Sequence, residues 1–96
     1  MAVGLLQEMD QVTADMYDAV SAKLDVQNNP PAGMIFHSGG EKAGGGMRIF
    51  DVWESEDAYR RFEEERLRPA IMEVSETPPE GPPRQEFYEL RDFVKP

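Results

Sequence analysis

The sequence predicts an α+β domain with the element order strand, helix, strand, strand, helix, strand. A glycine-rich stretch, GGEKAGGG, separates two β-branched and aromatic runs, which indicates a hairpin. On each side of this hairpin, apolar residues recur at the three- and four-residue spacing of an amphipathic helix. Further apolar runs near the two ends of the chain supply the outer strands. This order is the split βαβ plan, the ferredoxin-like arrangement, which predicts a four-stranded antiparallel sheet with both helices on one face.

Length and charge narrow the class of protein. Ninety-six residues make a single domain, 1–96, whose core is small enough that association between copies is a natural reinforcement. Nineteen acidic residues against ten basic ones give a net charge of −9, which argues against nucleic acid and anionic membranes as partners. The sequence shows neither a secretory leader pattern nor a long apolar run, so we expect a cytoplasmic protein. With one histidine and no cysteine, we expect no metal.

The first half of the chain predicts a strand, a helix and a second strand. Residues 2–8, AVGLLQE, form a short apolar run typical of a buried strand. Thr13 is a candidate N-cap for a helix of about three turns, which ends before Pro30 and Pro31. The apolar stripe of this helix consists of Met16, Tyr17, Val20 and Leu24.

The second half completes the plan. Residues 33–38 and 47–54 are the two hairpin strands, and Ser55 caps a second helix. Pro69 is expected to kink this helix or to restart it, carrying Ile71 and Val74 inward. The stretch 75–84, SETPPEGPPR, is a loop, and 86–94 is the last strand.

Both faces of the predicted sheet carry bulky apolar groups. In the third strand, Ile49 and Trp53 alternate with Phe50 and Val52. Two helices cover only one face, and a solvated second face would alternate cleanly with polar residues. We therefore expect a second copy of the chain to cover the other face, which gives a homodimeric α+β barrel.

On these elements the sequence resembles the dimeric α+β barrel superfamily that includes the antibiotic-biosynthesis monooxygenase-like domains. The resemblance covers nearly the whole chain and rests on GMIFHSGG, on RIFDVWESEDAYRRFEEERLRPAI and on the final aromatic strand. The resemblance implies a small homodimer with an apolar pocket and no cofactor. Members of this superfamily include oxygenases without cofactor that act on quinols or aromatic polyketides, cyclases, and haem-degrading enzymes. The last group uses a histidine on the second helix as iron ligand, and no histidine is present there.

His37 and Asp51 are the candidate catalytic residues. His37 is the only histidine, and its imidazole exchanges a proton near neutral pH. Asp51 lies within an apolar strand, where a carboxylate must be paired, hydrogen-bonded or protonated. Each residue also has a purely structural reading, His37 as a hydrogen-bonded histidine and Asp51 as the ion-pair partner of Arg48 or Arg91.

The register between the second and third strands decides which side chains meet. In one register His37 shares a face with Asp51 and Trp53, and a slip of one residue pairs it with Phe50 and Glu54 instead. The glycine-rich connection does not fix this choice, and we favour the first register. The candidate ligand-binding residues are Trp53, Glu54, Phe36 and Phe50.

Two function classes follow. The first is an oxygenase or cyclase without cofactor, whose pocket orients an aromatic or polyketide-like small molecule while His37 or Asp51 moves a proton. The alternative is a non-catalytic dimer that binds a hydrophobic ligand or a protein partner. A convergent polar cluster inside an otherwise apolar cavity would favour catalysis.

Overall fold

A computed structural model describes residues 2–75 and 84–94. Its elements in chain order are β1 (Val3–Met9), α1 (Ala14–Leu24), β2 (Met34–Glu41), β3 (Met47–Trp53), α2 (Glu56–Phe62), a π-helical segment (Glu63–Leu67), α3 (Arg68–Val74) and β4 (Arg84–Glu89). The four strands form one antiparallel sheet in the order β2-β3-β1-β4. The predicted ferredoxin-like α+β fold is therefore confirmed.

Helix α1 begins and ends through specific hydrogen bonds. The Thr13 side chain accepts a bond from the amide of Met16, as the sequence predicts for an N-cap. At the other end Asp25 takes a left-handed conformation, and the guanidinium of Arg66 donates to the carbonyl oxygens of Leu24 and Asn29, both at 2.9 Å. These bonds satisfy carbonyls that a helix end leaves unpaired, and they join α1 to the second helix.

The second helix restarts at Pro69, one of the two outcomes predicted for that position. Its first α-helical part ends at Phe62, a π-helical segment follows, and α3 begins with Pro69 in its first turn while the backbone stays helical through Leu67 and Arg68. The amide of Arg68 bonds to the carbonyl of Glu63, five residues back. Such a wide turn accommodates a proline, which lacks an amide donor and would otherwise clash with the carbonyl four residues earlier. Ala70 is buried beyond it, while Ile71 and Val74 are half-buried.

The last strand differs from the prediction of 86–94, because β4 starts at Arg84 and ends at Glu89. The reason lies in its partner: Val3, the first residue of β1, is opposite Glu89. One further bond, from the amide of Leu90 to the carbonyl of Ala2, closes the pairing. Most of the predicted 75–84 loop lies outside the described residues.

The hairpin between β2 and β3 is tighter than predicted. Strand β2 continues to Glu41, so the connection is 42–46, in which Gly44, Gly45 and Gly46 all have positive φ. Three successive residues in that region favour glycine strongly over residues with a Cβ.

Alternation along the strands gives the sheet two different faces. One face carries Leu5, Gln7, Ile49, Asp51 and Trp53 and packs toward the helices. The opposite face, which we call the open face, carries Leu6, Phe36, Phe50, Val52 and Tyr88. None of the described helices is long and apolar enough to cross a membrane.

The fully buried core lies under α2, and α1 adds to it only through the half-buried Leu24 at its C-terminal end. Trp53 and Leu5 are fully buried and pack with Tyr59 and Phe62. The centroid of the Trp53 ring lies 5.5 Å from that of Tyr59 and 5.4 Å from that of Phe62. No residue of α1 is fully buried. The stripe predicted for α1 is thus only partly covered, because a cavity separates this helix from the sheet.

Trp53→Ala should remove the centre of this core. We expect a loss of about 3–5 kcal/mol in the free energy of unfolding, from lost burial and the cavity left behind. Met72→Ala, at an exposed position of α3, is the control and should change the free energy of unfolding by less than about 0.5 kcal/mol. Urea unfolding followed by far-UV circular dichroism measures both, and equal effects would contradict this description of the core.

Candidate functional site

A cavity of ≈ 1240 Å³ lies between α1 and the helix-facing side of the sheet, bounded on another side by the second helix. Ile49 of β3 lies on its sheet side. Most other lining side chains on the helices are apolar: Met16, Val20, Leu24, Phe62, Leu67 and Ile71. A cavity of this volume and lining is suited to a small, largely apolar molecule.

Three polar side chains form a hydrogen-bonded relay at one wall of the cavity. His37 Nδ1 lies 2.6 Å from Asp51 Oδ1, and His37 Nε2 lies 2.9 Å from the Tyr17 hydroxyl. An ionised carboxylate only accepts hydrogen bonds, so Nδ1 carries the proton and donates it. In the neutral imidazole Nε2 is then an acceptor, and the Tyr17 hydroxyl donates to it.

Asp51 anchors the relay in the core. Its side chain is only 4% exposed, against 33% for that of His37. The second carboxylate oxygen, Oδ2, accepts from the indole Nε1 of Trp53 at 3.2 Å. Both oxygens of a buried carboxylate thus have donors, as burial requires. Arg48, one of the alternative partners, instead donates to Glu8 at 2.6 Å.

Gly39 makes room for the Tyr17 ring. A Cβ added to Gly39 would lie 2.7 Å from Cζ of Tyr17, well inside van der Waals contact. Gly39 lies two residues from His37 on the same face of β2. The phenol from α1 can therefore lie flat across the strand and reach the imidazole.

The predicted site residues do not form one cluster. His37 is opposite Asp51 in the register, so the structure has the first of the two registers considered. Both line the cavity, whereas Trp53 is fully buried in the core behind them. Phe36 and Phe50 contact each other on the open face, with ring centroids 6.2 Å apart. Glu54 is exposed and its backbone amide bonds to Gly33.

A second polar group borders the cavity on β1. Gln7, only 5% exposed, accepts bonds at Oε1 from Gln85 Nε2 at 2.9 Å and from the Tyr59 hydroxyl at 3.3 Å. Gln85 Nε2 also lies 3.3 Å from the Tyr59 hydroxyl, and Gln85 Oε1 accepts from Arg60 at 3.3 Å. Gln7 and Tyr59 both line the cavity.

Sequence reasoning missed Tyr17 and Gln7 as functional residues. The sequence places Tyr17 in the apolar stripe of α1, and the signal for a further role is weak: a tyrosine hydroxyl on that stripe can reach a polar side chain of the strand below. Gln7 carried a clearer signal: it is the polar member of the inward series Val3, Leu5, Gln7 in the first strand.

Burial raises the pKa of the Tyr17 phenol, and the nearby carboxylates of Asp51 and Asp18 add to the rise. Burial also raises the pKa of Tyr59, helped by Glu63. The folded state thus holds these protons to higher pH than the unfolded chain, where tyrosine titrates near pH 10. The stabilisation is fully present below about pH 10 and is lost as pH rises through the raised folded values.

Tyr17→Phe and Tyr59→Phe should each make the free energy of unfolding fall less steeply above about pH 10 than it does in the wild type. Urea unfolding at a series of pH values up to about 11 measures the slopes. An unchanged slope in Tyr17→Phe would contradict a phenol held neutral beside His37.

No protein-family model and no curated protein sequence matches the chain. Solved structures do match, with 29 chains in all. A protein of unknown function from Nitrosomonas europaea superimposes with a TM-score of 0.74 at 18% identity, covering 99% of this chain and 94% of its own. SnoaB, a cofactor-independent oxygenase from Streptomyces nogalater, gives 0.62 at 12%, covering 97% and 95%.

A third solved structure also matches over most of the chain. It is a dimeric ferredoxin-like protein of unknown function from Thermobifida fusca, with a TM-score of 0.63 at 15% identity, covering 94% of this chain and 92% of its own. At these identities the likeness concerns the fold. The chain therefore has the ferredoxin-like fold that these proteins share, over nearly its whole length.

Proposed function

We propose that this protein is an oxygenase that works without a cofactor on an aromatic, polyketide-like small molecule bound between α1 and the sheet. The observation that carries the proposal is the Tyr17–His37–Asp51 relay at the wall of a largely apolar cavity. A cavity that only sequestered an apolar ligand would not need a hydrogen-bonded series of three ionisable groups. The cofactor-independent oxygenase of the same fold is consistent with this class of reaction.

In the proposed reaction a ring methylene of the ligand is oxidised to a carbonyl by dioxygen. The Tyr17 oxygen takes a proton from the ligand while its own proton passes to His37 Nε2, and the Asp51 carboxylate stabilises the imidazolium that forms. The resulting carbanion reduces dioxygen and forms a carbon–oxygen bond. The relay proton returns to this peroxide, and loss of water breaks the oxygen–oxygen bond and leaves the carbonyl. Methylene plus dioxygen thus gives carbonyl plus water.

The geometry suits the protein's part in this sequence. A tyrosine is neutral near physiological pH, and burial raises the pKa of Tyr17 further above that range, so the hydroxyl has a proton to pass on. Both His37 and Asp51 line the cavity, but the His37 side chain is a third exposed whereas that of Asp51 is almost fully buried. Tyr17 and His37 thus transfer the proton, and Asp51 holds the imidazole in its orientation.

His37→Gln and Asp51→Asn should both abolish most oxygen consumption with 1,8-dihydroxy-9-anthrone, an anthrone whose methylene can be oxidised in this way. We expect losses of at least a hundredfold, the usual size of general acid–base contributions. An oxygen electrode measures the rate, and urea unfolding shows whether each variant is folded. Asp57→Asn, an exposed carboxylate in the first turn of α2, is the matched control and should keep full activity.

Two outcomes would contradict the proposal. Ligand binding without oxygen consumption in the wild type would favour the alternative, a non-catalytic binding protein. Full activity in a folded His37→Gln variant would show that the reaction does not use the relay.

The proposal includes a homodimer formed through the open face. Phe36 and Tyr88 remain 43% and 41% exposed there, beside the half-buried Leu6 and Phe50. Such a contiguous apolar surface on a small protein is typical of an interface. In this dimer Phe36 and Phe50 contact a second copy of the chain. The dimeric Thermobifida fusca protein of the same fold supports a second copy as the partner on this face.

Phe36→Glu should weaken this dimer at least tenfold, because it would bury a charge against an apolar surface. Sedimentation velocity over a range of micromolar concentrations measures the dissociation constant. Met72→Glu adds the same charge at an exposed position of α3 and should leave the dissociation constant unchanged. A well-folded wild-type monomer throughout that range would contradict the proposed interface.

A further inference from the structure

The carboxamide of Gln7 has a fixed orientation, which follows from its neighbours. A guanidinium only donates hydrogen bonds, so the atom of Gln85 that lies 3.3 Å from Arg60 is its oxygen. The amino group of Gln85 therefore faces Gln7 and donates to it at 2.9 Å. A donor on that side requires the oxygen of Gln7 there, and the Tyr59 hydroxyl donates to the same oxygen.

The amino group of Gln7 is left as a free donor at the cavity wall. Gln7 is 95% buried, since only 5% of it is exposed, and it lines the cavity. The hydrogen bonds of the Gln7 side chain among residues 2–75 and 84–94 end on its Oε1. No fully buried side-chain nitrogen or oxygen in those residues lacks a partner, so the Gln7 amino group is open to the cavity and not sealed in the core. Water bonds to such a donor in the free protein, and a ligand that supplies an acceptor takes the place of that water.

The register sets Gln7 across the cavity from the relay. Gly39, Ile49 and Gln7 are opposite one another on three neighbouring strands, and the Tyr17 hydroxyl lies over Gly39. Two strand spacings separate the ends of this row, about 10 Å. Ile49 lies between them as an apolar surface. A flat ligand of two or three fused rings, laid along the row, would reach the relay at one end and Gln7 at the other.

We propose that Gln7 is the specificity-determining residue of the site, and that its amino group binds a carbonyl oxygen on the ligand at the end remote from Tyr17. This inference rests on the proposed ligand site and deepens it: the ligand is an aromatic ketone, not a simple phenol or hydrocarbon. When the relay removes a proton, charge spreads through the rings to that carbonyl oxygen. A pre-oriented donor there stabilises the charge as it develops.

The test compares two ligands that differ only by the carbonyl, 6-hydroxy-1-tetralone and 5,6,7,8-tetrahydro-2-naphthol. Calorimetric titration of the wild type should show roughly three- to tenfold tighter binding of the ketone, the contribution of one hydrogen bond. Gln7→Met, which keeps the volume but has no donor, should bind both ligands equally. An equal preference for the ketone in both proteins, or no binding of either ligand to the wild type, would overturn the inference.

Gln85→Glu is a second variant that leaves Gln7 in place. Its carboxylate only accepts, so the Gln7 carboxamide should turn its amino group toward position 85 and its oxygen toward the cavity. The ketone preference should then disappear, an effect that a merely structural role of Gln7 does not predict. Retained preference in a folded Gln85→Glu protein would contradict the proposed orientation.

These binding measurements separate the two proposals. If the wild type consumes no oxygen but prefers the ketone through Gln7, the oxygenase proposal fails and the ketone site stands. If oxygen consumption depends on His37 while Gln7→Met keeps the ketone preference, the oxygenase proposal stands and the inference about Gln7 fails.

Discussion

The buried carboxylate of Asp51 is the constraint on which the site depends. A carboxylate in the interior is stable only with donors for its oxygens, because desolvation costs several kcal/mol. Trp53 supplies one donor from the core and His37 supplies the other from the edge strand. The second bond fixes both the ring orientation of His37 and which nitrogen carries its proton, and so determines what Tyr17 can do. One burial requirement thus links the packed core under α2 to the open cavity under α1.

The two helices make different use of the sheet. Helix α2 supplies Tyr59 and Phe62 to the core, whereas α1 has no fully buried residue and lies over the cavity. Arg66 holds the C-terminal end of α1 through backbone carbonyls, and Tyr17 ties the helix to His37. A helix fastened at these points can border a cavity without collapsing into it. The fully buried core and the cavity thus lie under different helices.

Much of this fold could be predicted from the sequence, because periodicity, caps and glycine-rich turns are local signals. Thr13 and Ser55 cap the two helices as predicted. The end of β4 could not be predicted, since it depends on where β1 begins. The register of His37 against Asp51 was open for the same reason, being a pairing between strands. Tyr17 and Gln7 acquire their roles only when three separate elements meet, which residue spacing does not encode.

The most direct test of the account is the protonation state of the single histidine, read from long-range ¹H–¹⁵N correlation of its ring. The account predicts that the neutral imidazole of the ligand-free protein carries a proton on Nδ1 and none on Nε2. It also predicts that saturating 6-hydroxy-1-tetralone shifts the Nε2 resonance, because the ligand engages the Tyr17 hydroxyl that donates to it. A proton on Nε2 in the free neutral ring, or an Nε2 resonance that the bound ligand leaves unmoved, would contradict the relay as the functional site.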